Sequence, residues 1–280
     1  KELYTNTTGA EVTDDPQTLK SFDSDGFTLG TSSGVNPSSS SNMASWNWKA
    51  GTTVSNTDGS VTTSVSANPT AGFSIVSYTG TGSSATFGHG LSQRPLISFY
   101  KVRSEAYQWM VYTGNILSST GLVLNGTDAG YSPGGTYGTH GASTFNLLTN
   151  ADVNGSTKTY ISYHFHSVEG YSKVGSYTGN GNADGPFVFT GFRPSMIIAK
   201  CASATSSWDI VDNARDPYNG ATQRLYPNGN SAEETASPPV VDFLSNGFKV
   251  RTTSGNWNTS SGTQIFLAFA ESPFKYSNAR

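Results

Sequence analysis

All four histidines, His89, His140, His164 and His166, fall within one stretch of the sequence, the repeat unit of residues 72–173. His164 and His166 are alternate residues, which on a strand share one face. Two imidazoles on one face, joined by a third histidine or a carboxylate, make a site for a transition metal. The competing expectation is that they line the polar face of a strand whose other face carries Ile161, Tyr163 and Phe165. Asp23-Ser-Asp25-Gly26 has the opening of a calcium loop without the further oxygen ligands and the glutamate of an EF-hand. It reads as a turn before a strand Phe27-Thr-Leu29. Gly30-Thr-Ser32-Ser-Gly34 satisfies the letters of a nucleophile elbow, which needs a helix after the serine. Asn36-Pro37 forbids that helix, so the stretch is a polar loop. Gly179–Gly185 has glycines at the wrong spacing for a dinucleotide loop and leads into Pro186, so a tight hairpin is expected. No residue is assigned as catalytic, and no carboxylate pair recommends glycoside hydrolysis.

Recognition is a better fit than catalysis. Asn125–Ser143 is glycine-rich and holds Tyr131, Tyr137 and His140, and loops on a rigid β scaffold commonly carry function. Tyrosine faces beside hydroxyls and amides suit glycan or protein contacts. The alternative is an ordered loop packed on a neighbouring subunit. Trp257, between Asn256 and Asn258, is expected on the surface as a further ligand contact, while Trp109 and Trp208 sit in apolar stretches and read as core.

The bulk properties narrow the class. Of 280 residues only 12% are charged while 12% are aromatic, which is neither a disordered composition nor a usual globular one. Serine, threonine, asparagine and glycine fill the gap, as in an all-β protein with many polar turns. A net charge of −3 recommends neither nucleic acid nor an anionic membrane surface as partner, and no apolar run reaches the length of a membrane-spanning helix. With Cys201 as the only cysteine, stability rests on core burial rather than disulfides, and Cys201 itself reads as a small hydrophobe.

Those elements are ordered by a duplication. Ser77-Tyr-Thr-Gly80 and Gly90-Leu-Ser-Gln-Arg-Pro-Leu-Ile-Ser-Phe-Tyr-Lys101 return as Ser176-Tyr-Thr-Gly179 and Gly191-Phe-Arg-Pro-Ser-Met-Ile-Ile-Ala-Lys200. Trp109 and Trp208 keep the same offset as Lys101 and Lys200, and a period of roughly a hundred residues is that of a module, not of a solenoid. The end of the chain is echoed by its beginning: Leu3-Tyr4 matches Leu225-Tyr226, Ala10-Glu11 matches Ala232-Glu233, Gly26-Phe27 matches Gly247-Phe248, and Asn36 matches Asn258. Ser45-Trp-Asn-Trp48 is expected as a strand equivalent to Phe266-Leu-Ala-Phe269, with Tyr160–Phe165 as the middle copy. At the positions of His164 and His166 the other copies hold Asn47 and Lys49, and Ala268 and Ala270, so no metal-ligand pattern recurs.

Residues 1–51 therefore form the closing half of a first module, 52–71 a hairpin or linker with a two-residue Asp58-Gly59 turn, 72–173 a second module and 174–280 a third. The opening half of the first module is expected upstream of Lys1, or on another chain. Within modules the apolar period is two and turn residues recur every 8–12 residues. The fold class is all-β, with tandem sandwich modules of jelly-roll or lectin-like type and little or no helix.

Several long phrases carry a resemblance over nearly the whole chain: Ser21-Phe-Asp-Ser-Asp-Gly-Phe-Thr-Leu-Gly30, Trp46-Asn-Trp-Lys-Ala-Gly51, Ala71-Gly-Phe-Ser-Ile-Val-Ser-Tyr78, Val168-Glu-Gly-Tyr-Ser-Lys173, Ala214-Arg-Asp-Pro-Tyr218 and Ala270-Glu-Ser-Pro-Phe-Lys-Tyr276. The sequence resembles the repeated modules of virion structural proteins of marine bacteriophages, of the cyanophage and pelagiphage kind, often described as tail-fibre-like. That resemblance implies an extracellular protein of the virion surface, made in the bacterial cytoplasm and not an enzyme. It implies self-association as a homotrimer, contact with other virion proteins and multivalent attachment to a host-surface glycan or protein. A purely structural shaft, capsid-decoration or filament subunit is the alternative, and a glycan depolymerase the third reading. No cofactor is implied.

Overall fold

The computed structural model describes residues 1–13, 17–38, 41–114, 116–117 and 120–272. The closing phrase from Pro273 to Tyr276 lies outside the described residues. The first fifth of the chain holds one hairpin, β1 (Leu19–Phe22) with β2 (Phe27–Leu29). The middle of the chain runs β3 (Thr53–Asn56), β4 (Thr63–Asn68), β5 (Phe73–Thr79), β6 (Ala85–Gly88), β7 (Ile97–Val102), β8 (Met110–Tyr112), β9 (Gly121–Val123), β10 (Thr144–Leu147), the helical turn α1 (Ala151–Asn154) and β11 (Thr159–Phe165). The last part runs β12 (Ser172–Thr178), β13 (Phe187–Phe189), β14 (Pro194–Cys201), β15 (Trp208–Asp212), β16 (Gln223–Arg224), β17 (Glu234–Thr235), β18 (Val241–Leu244), β19 (Gly247–Val250), the turn α2 (Gly255–Asn258) and β20 (Thr263–Ala270). The protein is all-β, with antiparallel sheets layered as sandwiches.

Two large sheets share one plan. The first has the order β3-β4-β5-β11-β7-β8-β9 and the second β12-β20-β14-β15, extended by a bridge from Ile210 to Leu225. In each, the closing strand (β11 or β20) inserts between the opening strand and the Arg-Pro strand (β7 or β14). A small sheet covers one face of each: β6 with β10, and β13 with β19 and β18. We call β5–β8 and β12–β15 opening halves, and the remainder of each module its closing half.

The three cores follow from this layering. One lies between the seven-stranded sheet and β6–β10, centred on Tyr78, Phe87, Tyr100, Phe145 and Tyr160. Another lies between the four-stranded sheet and β13–β19–β18, centred on Ile197, Phe243, Phe248, Trp257 and Phe266. The third fills the space between the two large sheets, where Phe73, Phe99 and Trp109 meet Met196, Trp208 and Leu267. Strands such as β7 and β14 are thus covered on both faces, which is why they read as continuous apolar runs. At the centre of the third core Trp48, Phe165 and Phe269 form a triangle of rings, with centroids 6.0, 5.4 and 6.0 Å apart. These are the equivalent residues of the three closing halves, so the modules meet around a pseudo-threefold centre.

Three local expectations are corrected. Ser45–Trp48 forms no strand. Its equivalent β20 is held between an opening strand and an Arg-Pro strand, and among the described residues neither lies beside Ser45–Trp48. Lys49 and Gly51 are tied instead to the β4 side chains Asn68 and Ser66. The 52–71 hairpin does form, but its connection runs over 57–62 rather than turning at Asp58-Gly59 alone. This loop lies against β6: Val61 bridges Phe87, and a Cβ on Gly59 would sit 2.3 Å from Thr86 O. β4 also pairs with β5, so the hairpin widens the second module's sheet. Gly179–Gly185 is no hairpin, because β12 and β13 belong to different sheets and the segment crosses between them.

Candidate functional site

The histidines are interior residues. His164 faces the core of the second module, where Nδ1 hydrogen-bonds with Ser98 Oγ (2.9 Å) and Nε2 with Ser162 Oγ (2.8 Å). Both nitrogens are therefore occupied by hydroxyls. His140 is stacked on Tyr112 (centroids 3.9 Å apart) and hydrogen-bonds with Tyr100 Oη at 3.0 Å. His89 lies 5.9 Å from the His164 ring and accepts the Leu91 amide. Burial pushes His89 down to about 4 and His140 down to about 3, and lowers His164 well below the ordinary histidine value. His166 is just beyond β11, its Nδ1 on Ser167 O. The expected polar face opposite Ile161, Tyr163 and Phe165 is thus a second buried face. His164 and His166 do not converge on a third ligand, and no group of three metal-ligating side chains exists among the described residues.

The glycine-rich loop Asn125–Ser143 folds back on its own module. Tyr131 bridges Gly121, Tyr137 bridges Leu147, and the Tyr131 hydroxyl reaches Met110 Sδ at 3.8 Å. Tyr137 rests on Tyr100 and Tyr112, so it and His140 line the core instead of presenting a surface. Trp257 corrects the surface expectation outright: it is 0% exposed, with Nε1 donating to Asp209 Oδ2 at 2.6 Å. Burial raises the Asp209 carboxyl to about 6 against the hydrogen bonds from Trp257 and Asn256 that lower it. Asp23, read for calcium, accepts from Ser21 and Thr28 hydroxyls and shapes the β1–β2 turn. A shallow surface depression of about 460 Å³ lies over the β3–β4 hairpin, lined by Thr53, Ser55, Ser64, Ser77 and Arg103.

What the chain repeats is a joint between modules. Trp208 Nε1 donates to Val123 O (2.9 Å), Lys200 Nζ to Thr127 O (3.2 Å), the Ser206 amide to Thr127 O (2.8 Å), and the Gly130 amide to Ala202 O (2.7 Å). The same four bonds join the second module to the first: Trp109 Nε1 to Tyr4 O (2.9 Å), Lys101 Nζ to Thr8 O (3.1 Å), the Tyr107 amide to Thr8 O (2.9 Å), and the Glu11 amide to Arg103 O (2.9 Å). The residues of the gripping opening half keep one constant offset from their counterparts, and the residues of the gripped segment another. In both joints the opening half of one module grips a backbone segment of the module before it.

The lysines are buried, and burial brings Lys101 and Lys200 down to about 8. Lys200 satisfies its ammonium with Thr127 O, Cys201 O and Ser206 Oγ. A buried cation held by carbonyls is tolerated only where every donor is matched, so the joint is geometrically demanding. Around the first joint Arg103 adds a bidentate pair to Glu11, holding that carboxyl at about 2. Sequence reasoning found these lysines and tryptophans as repeats and read the tryptophans as core. The signal for more was there, a lysine ending an apolar strand with a tryptophan always eight residues on.

A second repeated device ties the halves of each module together. Asn258 Oδ1 accepts the Asn180 and Gly181 amides while Nδ2 donates to Asn182 O and Thr252 O. Asn154 does the same with the Thr81 amide, Ser83 O and Leu148 O. The single helical turns α1 and α2 place these two asparagines.

The model of a family described as Domain of unknown function (DUF7483) matches residues 1–273. No curated protein matches the chain. No solved structure matches it either.

Proposed function

The chain belongs to the DUF7483 family, and for this member we propose a non-enzymatic, structural role in a bacteriophage virion appendage, a tail fibre or a related surface element. The observation that carries the reading is the joint made twice by the Lys101–Trp109 and Lys200–Trp208 pairs on the backbone of the preceding module. Polar side chains that could do chemistry are spent on holding modules at fixed angles. A stiff array of this kind suits display of surfaces at a distance from the particle.

Attachment to a host glycan or protein belongs to the same reading, through many weak contacts on a self-associated, homotrimeric assembly with other virion proteins. It would fall to exposed groups such as Tyr218 and Phe189 rather than to the half-buried Tyr137 or the buried His140 and Trp257. A ligand-free shaft or decoration subunit is the alternative.

Mass spectrometry of purified particles tests the location: peptides of this chain at stoichiometric level are expected, and particles without them overturn it. Adsorption of the purified protein to host cells separates attachment from a bare shaft. Release of reducing ends from host polysaccharide would replace both with a depolymerase.

A further inference from the structure

We propose that this chain carries a docking surface for one further opening half-module, of the kind formed by β5–β8 and β12–β15, entering ahead of Leu3 and closing the pseudo-threefold ring. Three separate places in the molecule point to the same missing element, and none depends on the virion reading.

The first place is the unfilled joint. Tyr226, Asn230 and Glu233 stand in the third module where Val123, Thr127 and Gly130 stand in the second and Tyr4, Thr8 and Glu11 in the first. Those two sets are gripped by a lysine and tryptophan of the next opening half. Neither Asn230 O nor the Glu233 amide has a hydrogen-bond partner among the described residues, and Ser231–Thr235 is exposed.

The second place is an uncovered apolar face. Leu19, Phe22 and Phe27 of the first hairpin are 40%, 78% and 37% exposed, whereas their counterparts Val240, Phe243 and Phe248 are 1%, 1% and 0% exposed. What covers the latter is an opening half, through Phe192, Ile197, Ala199 and Val211. The third place is Asn36. It keeps the bond to the carbonyl six residues back, Nδ2 to Gly30 O at 2.8 Å, just as Asn258 bonds Thr252 O and Asn154 bonds Leu148 O. The bonds that Asn154 and Asn258 make to their opening halves have no counterpart at Asn36 among the described residues.

The occupant is fixed by chemistry. It needs an apolar strand pair to cover Phe22 and Phe27, a loop amide for Asn36, and a buried lysine followed eight residues later by a tryptophan for Asn230 O and Tyr226 O. A second copy of this chain does not supply these groups, because both of its lysine–tryptophan pairs are already engaged. Entry ahead of Leu3 follows from register, since Leu3 occupies the position that Leu122 and Leu225 take after their own opening halves.

The test joins a second copy of residues 171–222 directly to Lys1, which preserves that register, and compares the fusion with the 1–280 chain by amide hydrogen exchange. Exchange in β1–β2 and at the Glu233 amide is expected to slow at least tenfold in the fusion. A Trp208→Phe change confined to the fused copy should restore fast exchange at Glu233 and leave β1–β2 protected. Unchanged exchange at both places, with the fused copy folded or not, overturns the proposal. The 1–280 chain gives an independent check: Asn36→Ala should leave its thermal midpoint unmoved, and a shift as large as that of Asn258→Ala overturns the assignment. A concentration-dependent dimer that protects β1–β2 and Glu233 would make the second copy the occupant and also overturn it.

Discussion

The hairpins Leu19–Leu29 and Val241–Val250 are built on one pattern and live in opposite environments. In each, two phenylalanines pair across the turn, Phe22 with Phe27 and Phe243 with Phe248. Each turn gives way to the second strand at a glycine, Gly26 just before β2 and Gly247 as the first residue of β19. In the third module these rings are interior, with Phe248 packed at right angles on Phe266 and Trp257. In the first module they face outward. Strand pairing is therefore a local property of this segment, while its burial is supplied from outside by an opening half. The difference teaches that the half-module, not the module, is the unit that pairs, and that a core here is always made by two halves.

The sharpest way to break the comparison is to truncate the rings. Phe248→Ala should cost about 3–5 kcal/mol, the usual range for an emptied aromatic site. Phe27→Ala and Phe22→Ala should each cost about 0.5 kcal/mol or less, as at exposed positions. Urea midpoints check both, and equal costs would mean that the two faces are equally covered. The asparagines give the next contrast. Asn258→Ala and Asn154→Ala should each lose about 2–4 kcal/mol, because several buried amides and carbonyls are left unpaired.

Acid should separate the two complete modules, with opposite signs. His89 has its folded value lowered from 6.5 to about 4. The unfolded chain then binds the extra proton, and stability is lost as pH falls below about 6.5. The loss is about 2 kcal/mol for this histidine by pH 5, and His140 and His164 act in the same direction. Asp209 is raised from 3.8 to about 6, so the folded form keeps a proton that the unfolded chain has released. The third module therefore gains stability as pH falls from about 6 toward 3.8. Residue-resolved hydrogen exchange between pH 7 and 5 should show β6 and β10 opening earlier relative to β13 and β19, and Asp209→Asn should remove the opposing slope. A milder loss concerns the joint: Trp208→Phe should cost about 1–2 kcal/mol and speed exchange at the Gly130 and Ser206 amides without disturbing β18–β19.

Much of the scaffold was legible beforehand because it is written in local terms. The alternation of apolar and polar residues, the Arg-Pro entry to β7 and β14, and the repeated Ser-Tyr-Thr-Gly phrase announce strands and their order. The all-β sandwich class follows from them. The candidate site was less legible. Trp257 has asparagines on both sides, which look like a polar loop, yet α2 turns its ring inward onto Asp209. Tyr137 and His140 lie in a glycine-rich stretch whose return onto β8 and β10 depends on partners far away in sequence. Composition cannot distinguish a loop that projects from one that folds back.

The segment Ser45–Trp48, expected as a strand, marks the same boundary from the other side. Its residues match those of β20, and that much follows from the letters alone. Whether they become a strand depends on neighbours that offer free backbone groups on both sides, which β20 finds in β12 and β14. By itself the sequence determined the repeat, the strand period and the residues that recur. Only the tertiary structure decided which recurring residues join modules, which rings are covered, and that three equivalent aromatic side chains meet at one centre. Hydrogen-bond partners and burial are properties of pairs of segments, and a single segment encodes just its own half of each pair.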